Sequence, residues 1–192
     1  MILAGGSSRR MGRDKLALEV GGLPLLVRAV EALATSCREV LVVGEKGRLP
    51  PGVRRIAGER PGGQGPLAGL EAGLAAARNP LVFVAAGDMP FLPGALVLYL
   101  LGRLERGGLC AVVPRYRGRM HPLCAAYHRG LLPRVGSALD GGVRAVHAFV
   151  ESLDGVEYAG EEELRRFGDP DLFLMSVNTA EDLERARGEA AC

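Results

Sequence analysis

A chain of 192 residues, 48% hydrophobic and 24% charged, is long enough to bury a sizeable core and too apolar for disorder. Its formal net charge of +2 is too small to argue for a nucleic acid or a membrane surface as partner. With 5% aromatics and no tryptophan, there is little material for stacking on single-stranded bases.

The chain enters its first loop after only Met1-Ile2-Leu3, a strand cut short that leaves room for a start upstream. The loop from Leu3 to Lys15 carries Gly5, Gly6 and Gly12, which let backbone N–H groups come close to a ligand because no Cβ intervenes. Arg9, Arg10, Arg13 and Lys15 surround that backbone with cations suited to a triphosphate. Lys15 and Lys46 are the two lysines against twenty-two arginines, so an ammonium at position 15 points to a specific need for a compact charge.

Leu23 to Cys37 has helical spacing, Glu39 to Val43 reads as a buried strand, and Val53 to Ala57 as a weaker one. A loop from Arg60 to Pro66 precedes a helix of small residues, Leu67 to Ala77. The run Leu81 to Ala86 fits a central parallel strand buried on both faces, and Pro93 opens a helix lasting to about Arg106. Cys110 to Pro114 and Leu123 to Tyr127 read as strands joined by the basic segment Arg115 to Arg119. Short helices from Gly130 and Gly142, a strand at Leu172 to Val177 and a last helix from Thr179 complete the pattern. With no repeat or linker, residues 1–192 are expected to form one α/β domain with a mostly parallel sheet in three layers.

The four cysteines lie far apart, with no C-x-x-C and no Cys/His cluster at zinc spacing; Cys37 and Cys110 sit in apolar patterns and are expected as core thiols. No signal-peptide pattern precedes the first motif and no apolar run reaches membrane length, so a cytoplasmic protein is expected.

Four features carry chemistry. Gly87-Asp88-Met89-Pro90 follows the most buried strand, where ligands bind in open α/β sheets. A carboxylate there suits Mg²⁺, which takes one or two protein carboxylates plus phosphate oxygens; a turn Asp before a proline is the plainer alternative. Gly65-Pro66 starts a helix whose N-terminus is suited to face a nucleotide, although close packing also explains its small residues. Arg115, Arg117 and Arg119, at alternate positions before His121-Pro122, are placed to share one strand face and bind a phosphate, or to form a solvated edge. Thr179 with Asp182 makes a near capping box, while Asn178 has no such local duty and falls at the same edge as Asp88. His128 and His147 fit no pattern and are read as surface or packing residues.

The first loop is neither the dinucleotide fingerprint G-x-G-x-x-G nor a Walker loop: six residues separate Gly5 from Gly12, five separate Gly6 from it, and Arg13 follows. It fits L-A-G-G-x-S-x-R-M-G-x-D-K, and on that motif the chain resembles the molybdenum cofactor guanylyltransferases. The resemblance implies a three-layer Rossmann-like nucleotidyltransferase fold, with a mostly parallel central sheet and helices on both faces. It also implies transfer of GMP from GTP to the terminal phosphate of molybdenum-molybdopterin, forming the molybdopterin guanine dinucleotide cofactor and releasing pyrophosphate.

For the residues, the resemblance implies Mg²⁺ on Asp88, in the family's D-x-P segment, and phosphates steadied by Arg10 and Lys15. Backbone groups of Leu3, Ala4, Gly5 and Gly6 would read the guanine. Gly58 stands where the family usually has an Asp near base or ribose, with Glu59 beside it as a substitute. After the second strand the family often has an Asn, where this chain runs Val43-Gly44-Glu45. On the pterin side fall Arg119, His121 and Pro122 of the family's H-P segment, Arg144 of its G-x-R, and Asn178 of its N-V-N-T-P, from which Ser176 and Ala180 depart. Gly5 and Gly69 favour GTP, since the related cytidylyl enzymes usually have L-A-A-G in the first loop and Ser in place of Gly69.

The expected partners are GTP and molybdopterin, with transient contacts to cofactor-synthesis or acceptor proteins, and the chain is expected to act as a monomer. Three alternatives stay open: a CTP-dependent cytidylyltransferase for the same pterin or another small alcohol, a sugar-1-phosphate nucleotidyltransferase, and a catalytically silent nucleotide-binding regulator.

Overall fold

Strand β1 (Ile2–Leu3) leads into the glycine loop; the computed structural model describes residues 1–5, 15–45, 47–58 and 65–191. After a 3₁₀ turn at Lys15–Ala17 comes a small hairpin of β2 (Glu19–Val20) and β3 (Leu23–Pro24). Then strands and helices alternate: α1 (Leu25–Ala34), β4 (Leu41–Val43), β5 (Arg54–Ile56), α2 (Pro66–Ala76), β6 (Leu81–Ala86) and α3 (Gly94–Arg106). The second half begins with β7 (Ala111–Tyr116), β8 (Arg119–Met120) and β9 (Cys124–His128), followed by α4 (Leu132–Asp140) and α5 (Val146–Glu151). It closes with β10 (Val156–Ala159), α6 (Glu161–Arg165), α7 (Pro170–Phe173) and α8 (Ala180–Glu189).

The strands pair in the order β10-β7-β9-β6-β1-β4-β5, with β8 folded back on β7. β1 lies parallel between β4 and β6, β5 is parallel to β4, and β10 is parallel to β7; β9 alone in that path runs antiparallel to its neighbours. The mostly parallel sheet is thus as expected. Period-two alternation splits β6 between two cores. Phe83 and Ala85 pack with Leu26, Leu33, Leu96 and Leu100 of α1 and α3; Val82 and Val84 face Leu67, Leu70, Val135 and Phe149 of α2, α4 and α5. β1 is split in the same way, Ile2 to the first core and Leu3 to the second, and fully burying a side chain such as Ile2, Phe83 or Leu96 contributes about 1.5–3 kcal/mol relative to exposure. Helix α8 caps the β2–β3 hairpin through Val20, Leu25, Leu183 and Ala186. Among the described residues no helix is long and apolar enough to cross a membrane.

Several sequence readings are corrected. The expected strand at Leu172 to Val177 is absent: Asp169 caps and Pro170 opens α7, and the apolar residues that suggested a strand include Phe173, buried in the core from a helix. Arg115, Arg117 and Arg119 do not share a strand face. Arg115 lies on β7 over the Tyr158 ring, Arg117 forms the turn, and Arg119 lies on β8. Cys37 and Cys110 pack half-buried against the two cores, as expected in part, and among the described cysteines the fully buried one is Cys124, whose thiol burial pushes up to about 12. The small hairpin, β10 and α6 are additional to the expected elements.

Candidate active site

Parallel strands end on one edge, so β1, β4, β5 and β6 deliver Gly5, Gly44, Gly58 and Asp88 to the same side of the sheet. Helix α2, which follows β5, begins at that side with Gly65. Because β9 runs the other way, its leading segment His121 to Leu123 arrives there too, and Ala86 N–H donates to the Leu123 carbonyl at 2.9 Å.

Asp88 is the buried charged residue of the described chain, 7% exposed. Its carbonyl accepts from Val177 N–H at 3.0 Å, which ties the C-terminal segment to the end of β6. Its Oδ2 pairs with Lys15 Nζ at 2.5 Å, and the same ammonium donates to Asn178 Oδ1 at 3.0 Å. Asp88 Oδ1 is buried and finds no hydrogen-bond partner among the described residues. A buried acceptor left so costs roughly 1–3 kcal/mol, more when charged, and persists when a ligand uses it. Among the described residues no group of three or more His, Cys, Asp or Glu is placed to hold a metal. One carboxylate with a spare oxygen fits Mg²⁺, whose remaining positions are filled by substrate oxygens and water.

Asn178 is held from behind. Its N–H and that of Thr179 both donate to Asp182 Oδ2 at 2.9 Å, and the Thr179 hydroxyl accepts from Asp182 N–H at 3.1 Å, completing the expected cap. Burial alone would raise the Asp182 carboxyl, but the Asn178 and Thr179 N–H groups and the Thr179 hydroxyl together hold it below its ordinary value.

The backbone beside Asp88 is fixed by Ala4 N–H to the Val43 carbonyl at 2.8 Å and Gly87 N–H to the Leu3 carbonyl at 3.1 Å. Gly44, at φ 131°, has no alternative residue: a Cβ there would lie 2.8 Å from the Ala4 carbonyl carbon and oxygen. The Asn often found in this region of the family therefore has no room at position 44. Gly65, at φ 78°, is excluded from bearing a side chain by the Arg144 carbonyl, 2.9 Å from where its Cβ would be. That carbonyl accepts the Leu67 N–H at 3.2 Å, capping the start of α2. Gly69 lets α2 approach β1, since its Cβ would be 3.3 Å from Leu3 Cδ2.

On the other side of Asp88, Arg119 projects from β8 as an exposed residue, and His121 is half-buried, its N–H bonded to the Pro114 carbonyl at 2.9 Å. Burial first and then the Arg119 charge push the His121 imidazole below its ordinary value, so it is neutral at pH 7. The Pro122 carbonyl accepts the Tyr127 hydroxyl at 2.7 Å, locking the turn into β9. Arg144 turns Nη1 onto the Leu139 and Val143 carbonyls at 2.6 and 3.0 Å, closing the end of α4. The fold thus joins Lys15, Asp88 and Asn178 in direct contact, with Leu3, Ala4, Gly5 and Gly58 on one flank and His121 and Pro122 on the other. Gly6, Arg10 and Glu59 lie outside the described residues. Asp182 and Val177 as supports of the site were not read from sequence; the capping box gave the only signal for the first.

A glycine loop after the first strand, a lysine returning from it to a buried carboxylate, and a Rossmann-like three-layer sheet define a nucleotidyltransferase fold. Residues 1–156 match the family described as the MobA-like NTP transferase domain. The chain is 36% identical over 189 residues to a probable molybdenum cofactor guanylyltransferase of Pelotomaculum thermopropionicum, covering 97% of this chain and 90% of that protein. It is 33% identical over 190 residues to a molybdenum cofactor guanylyltransferase of Syntrophotalea carbinolica, covering 97% and 89%. The crystal structure of molybdopterin-guanine dinucleotide biosynthesis protein A from Archaeoglobus fulgidus superposes with a TM-score of 0.85 at 26% identity, over 99% of this chain and 97% of that one. A 2-C-methyl-D-erythritol 4-phosphate cytidylyltransferase from Thermus thermophilus shares the fold, with a TM-score of 0.75 at 23% identity over 100% and 98% of the chains. This chain belongs to the MobA-like NTP transferase family.

Proposed function

We propose that the chain transfers GMP from GTP to the terminal phosphate of molybdopterin, with release of pyrophosphate. The observation that carries the reading is the Lys15–Asp88–Asn178 contact at the carboxyl edge of the sheet, with one Asp88 oxygen unpaired. The names of the relatives support guanine and molybdopterin as the substrates. Gly5 adds support: a Cβ there would touch no atom of the described residues, which suits that backbone to the close approach of a nucleotide.

In the reaction an oxygen of the pterin phosphate attacks the α-phosphorus of GTP, the bond to the β-phosphate bridging oxygen breaks, and pyrophosphate leaves. The attacking oxygen is anionic at neutral pH, so no general base is needed. Catalysis then rests on alignment and charge neutralisation. Lys15 leaves Asp88 for the phosphates as GTP enters, and Arg10, outside the described residues, is the second cation assigned to them. Asp88, with its free oxygen, would hold Mg²⁺, which when bound would supply Lewis-acid charge neutralisation to the phosphates. Backbone groups of Leu3 to Gly6 read the guanine, and Gly58 borders the base or ribose. Arg119, neutral His121, Pro122, Arg144 and Asn178 serve the pterin side.

Pyrophosphate release tests this, with GTP or CTP and with or without molybdopterin. The expected result is release that requires Mg²⁺, GTP and molybdopterin together, with CTP a poor substitute. Faster release from CTP would make the chain a cytidylyltransferase, and nucleotide binding with no release under any condition would make it a silent regulator.

A further inference from the structure

Arg117 is the one non-glycine residue with positive φ, 48°, among those described. With Gly118 at φ 72° it forms the tight turn between β7 and β8, a position where Asn or Gly is the usual choice. A left-handed arginine persists only where its surroundings over-determine it. Here they do so from a distant part of the chain. Arg117 N–H donates to Glu161 Oε1 at 2.8 Å, and Arg117 Nη2 pairs with Asp171 Oδ2 at 2.6 Å. The hydroxyl of buried Tyr116 donates to that same oxygen at 3.0 Å. Asp171 is itself fixed, its N–H bonded to the cap carboxylate of Asp169 at 2.9 Å.

This tether holds the hairpin that leads through Arg119 into His121 and Pro122. Both acidic residues come from α6 and α7, beyond residue 156, where the family match ends. We infer that Asp171 is a positioning residue for the acceptor substrate: by holding Arg117 and Tyr116 it fixes the β7–β8 hairpin, and so the Arg119–His121 segment, against the nucleotide half of the site. The inference rests on the assignment of that segment to the pterin side. An isolated surface ion pair would contribute little, and Arg117 and Asp171 are 68% and 34% exposed at their side chains. What distinguishes this one is convergence on a single carboxylate oxygen, one of the donors coming from a buried ring.

The test is steady-state kinetics of Asp171→Ala and Asp171→Asn with GTP and molybdopterin, alongside GTP titration and thermal melting. The expected result for Asp171→Ala is an acceptor KM raised about five- to tenfold, the size of one or two lost hydrogen bonds, with kcat within about twofold and GTP affinity unchanged. Arg117→Gly suits the left-handed turn while removing the guanidinium, so it folds even if Asp171→Ala does not, and it should raise the acceptor KM in the same way. The double variant should be no worse than the worse single one, because both act through one contact. A lowered melting temperature with unchanged acceptor KM, or an equal loss of GTP affinity, overturns the inference. Arg119→Ala separates the two levels. If it leaves the acceptor KM unchanged, the assignment of this segment to the pterin fails and the positioning role falls with it; if it raises KM while Asp171→Ala and Arg117→Gly do not, only the positioning role fails.

Discussion

The nucleotide half of the carboxyl edge is made of backbone and small residues. A Cβ at Gly44 would collide with the Ala4 carbonyl and one at Gly69 would press on Leu3, and the charges of this half, Lys15 and Asp88, are already paired at 2.5 Å. The acceptor half is made of side chains on a hairpin and turns: Arg119 is exposed, His121 half-buried, and their segment is tethered by residues more than thirty positions further on. The first half is adapted to a ligand whose phosphates must be held and whose reacting atom must be aligned. The second is adapted to selecting a partner, and its parts can be lost singly. Damage to the nucleotide half should therefore abolish chemistry, and damage to the acceptor half should weaken one ligand.

The largest effect is expected for Asp88→Asn, which keeps shape and turn geometry but loses the charge. A metal's Lewis-acid role is worth several kcal/mol, so turnover should fall about a thousandfold or more and what remains should need far more Mg²⁺. If Asp88 were only a turn residue, Asn would replace it with normal activity at normal Mg²⁺. Lys15→Ala comes next, with a loss of about 10²–10³ in rate, as for removal of one charge-stabilising donor, and little change in melting temperature. An unchanged rate with intact GTP binding would remove Lys15 from the site.

Arg119→Ala sharpens the comparison from the other side. A charge-assisted contact to phosphate is worth roughly 1.5–3 kcal/mol, so molybdopterin binding should weaken about ten- to a hundredfold while GTP affinity stays the same in separate titrations. A selective loss of GTP binding would show the two halves to be assigned in reverse. The smallest effect belongs to the support behind Asn178. Thr179→Ala removes a cap and should lower stability by about 1 kcal/mol in a urea melt. Because the Asp182 carboxyl is held below its ordinary value when folded, its share of that cap is complete above the ordinary aspartate range and is lost as pH falls through the lowered value. The difference between wild type and variant should therefore shrink on acidification; a difference that grew would put the cap's charge in the wrong place.

How much of this was legible in the sequence differs by region for a physical reason. β6 was readable to its limits because a strand buried on both faces is a continuous apolar run, and Asp88 followed from where such strands end. The cap at Thr179 was readable because it is local. The β2–β3 hairpin was missed although Gly21-Gly22 is a turn signal, since two-residue strands carry no periodicity. The arginine segment misled because alternation promises one face only if the strand continues, and here it turns back at Arg117. The contact of Arg117 with Asp171 spans 54 positions and nothing in either neighbourhood announces it, whereas for Lys15 and Asn178, 163 positions apart, the sequence reaches only as far as placing Asn178 at the edge of Asp88.

Nucleotidyl transfer is defined by which phosphorus the acceptor attacks. GTP labelled at the α-phosphate or at the γ-phosphate, incubated with the protein, Mg²⁺ and molybdopterin, would show it by separation of the products. The α label is predicted to pass to a pterin dinucleotide and the γ label to leave in pyrophosphate. Transfer of the γ label to the pterin, or its release as inorganic phosphate with the α label left on GDP, would contradict nucleotidyl transfer at this site.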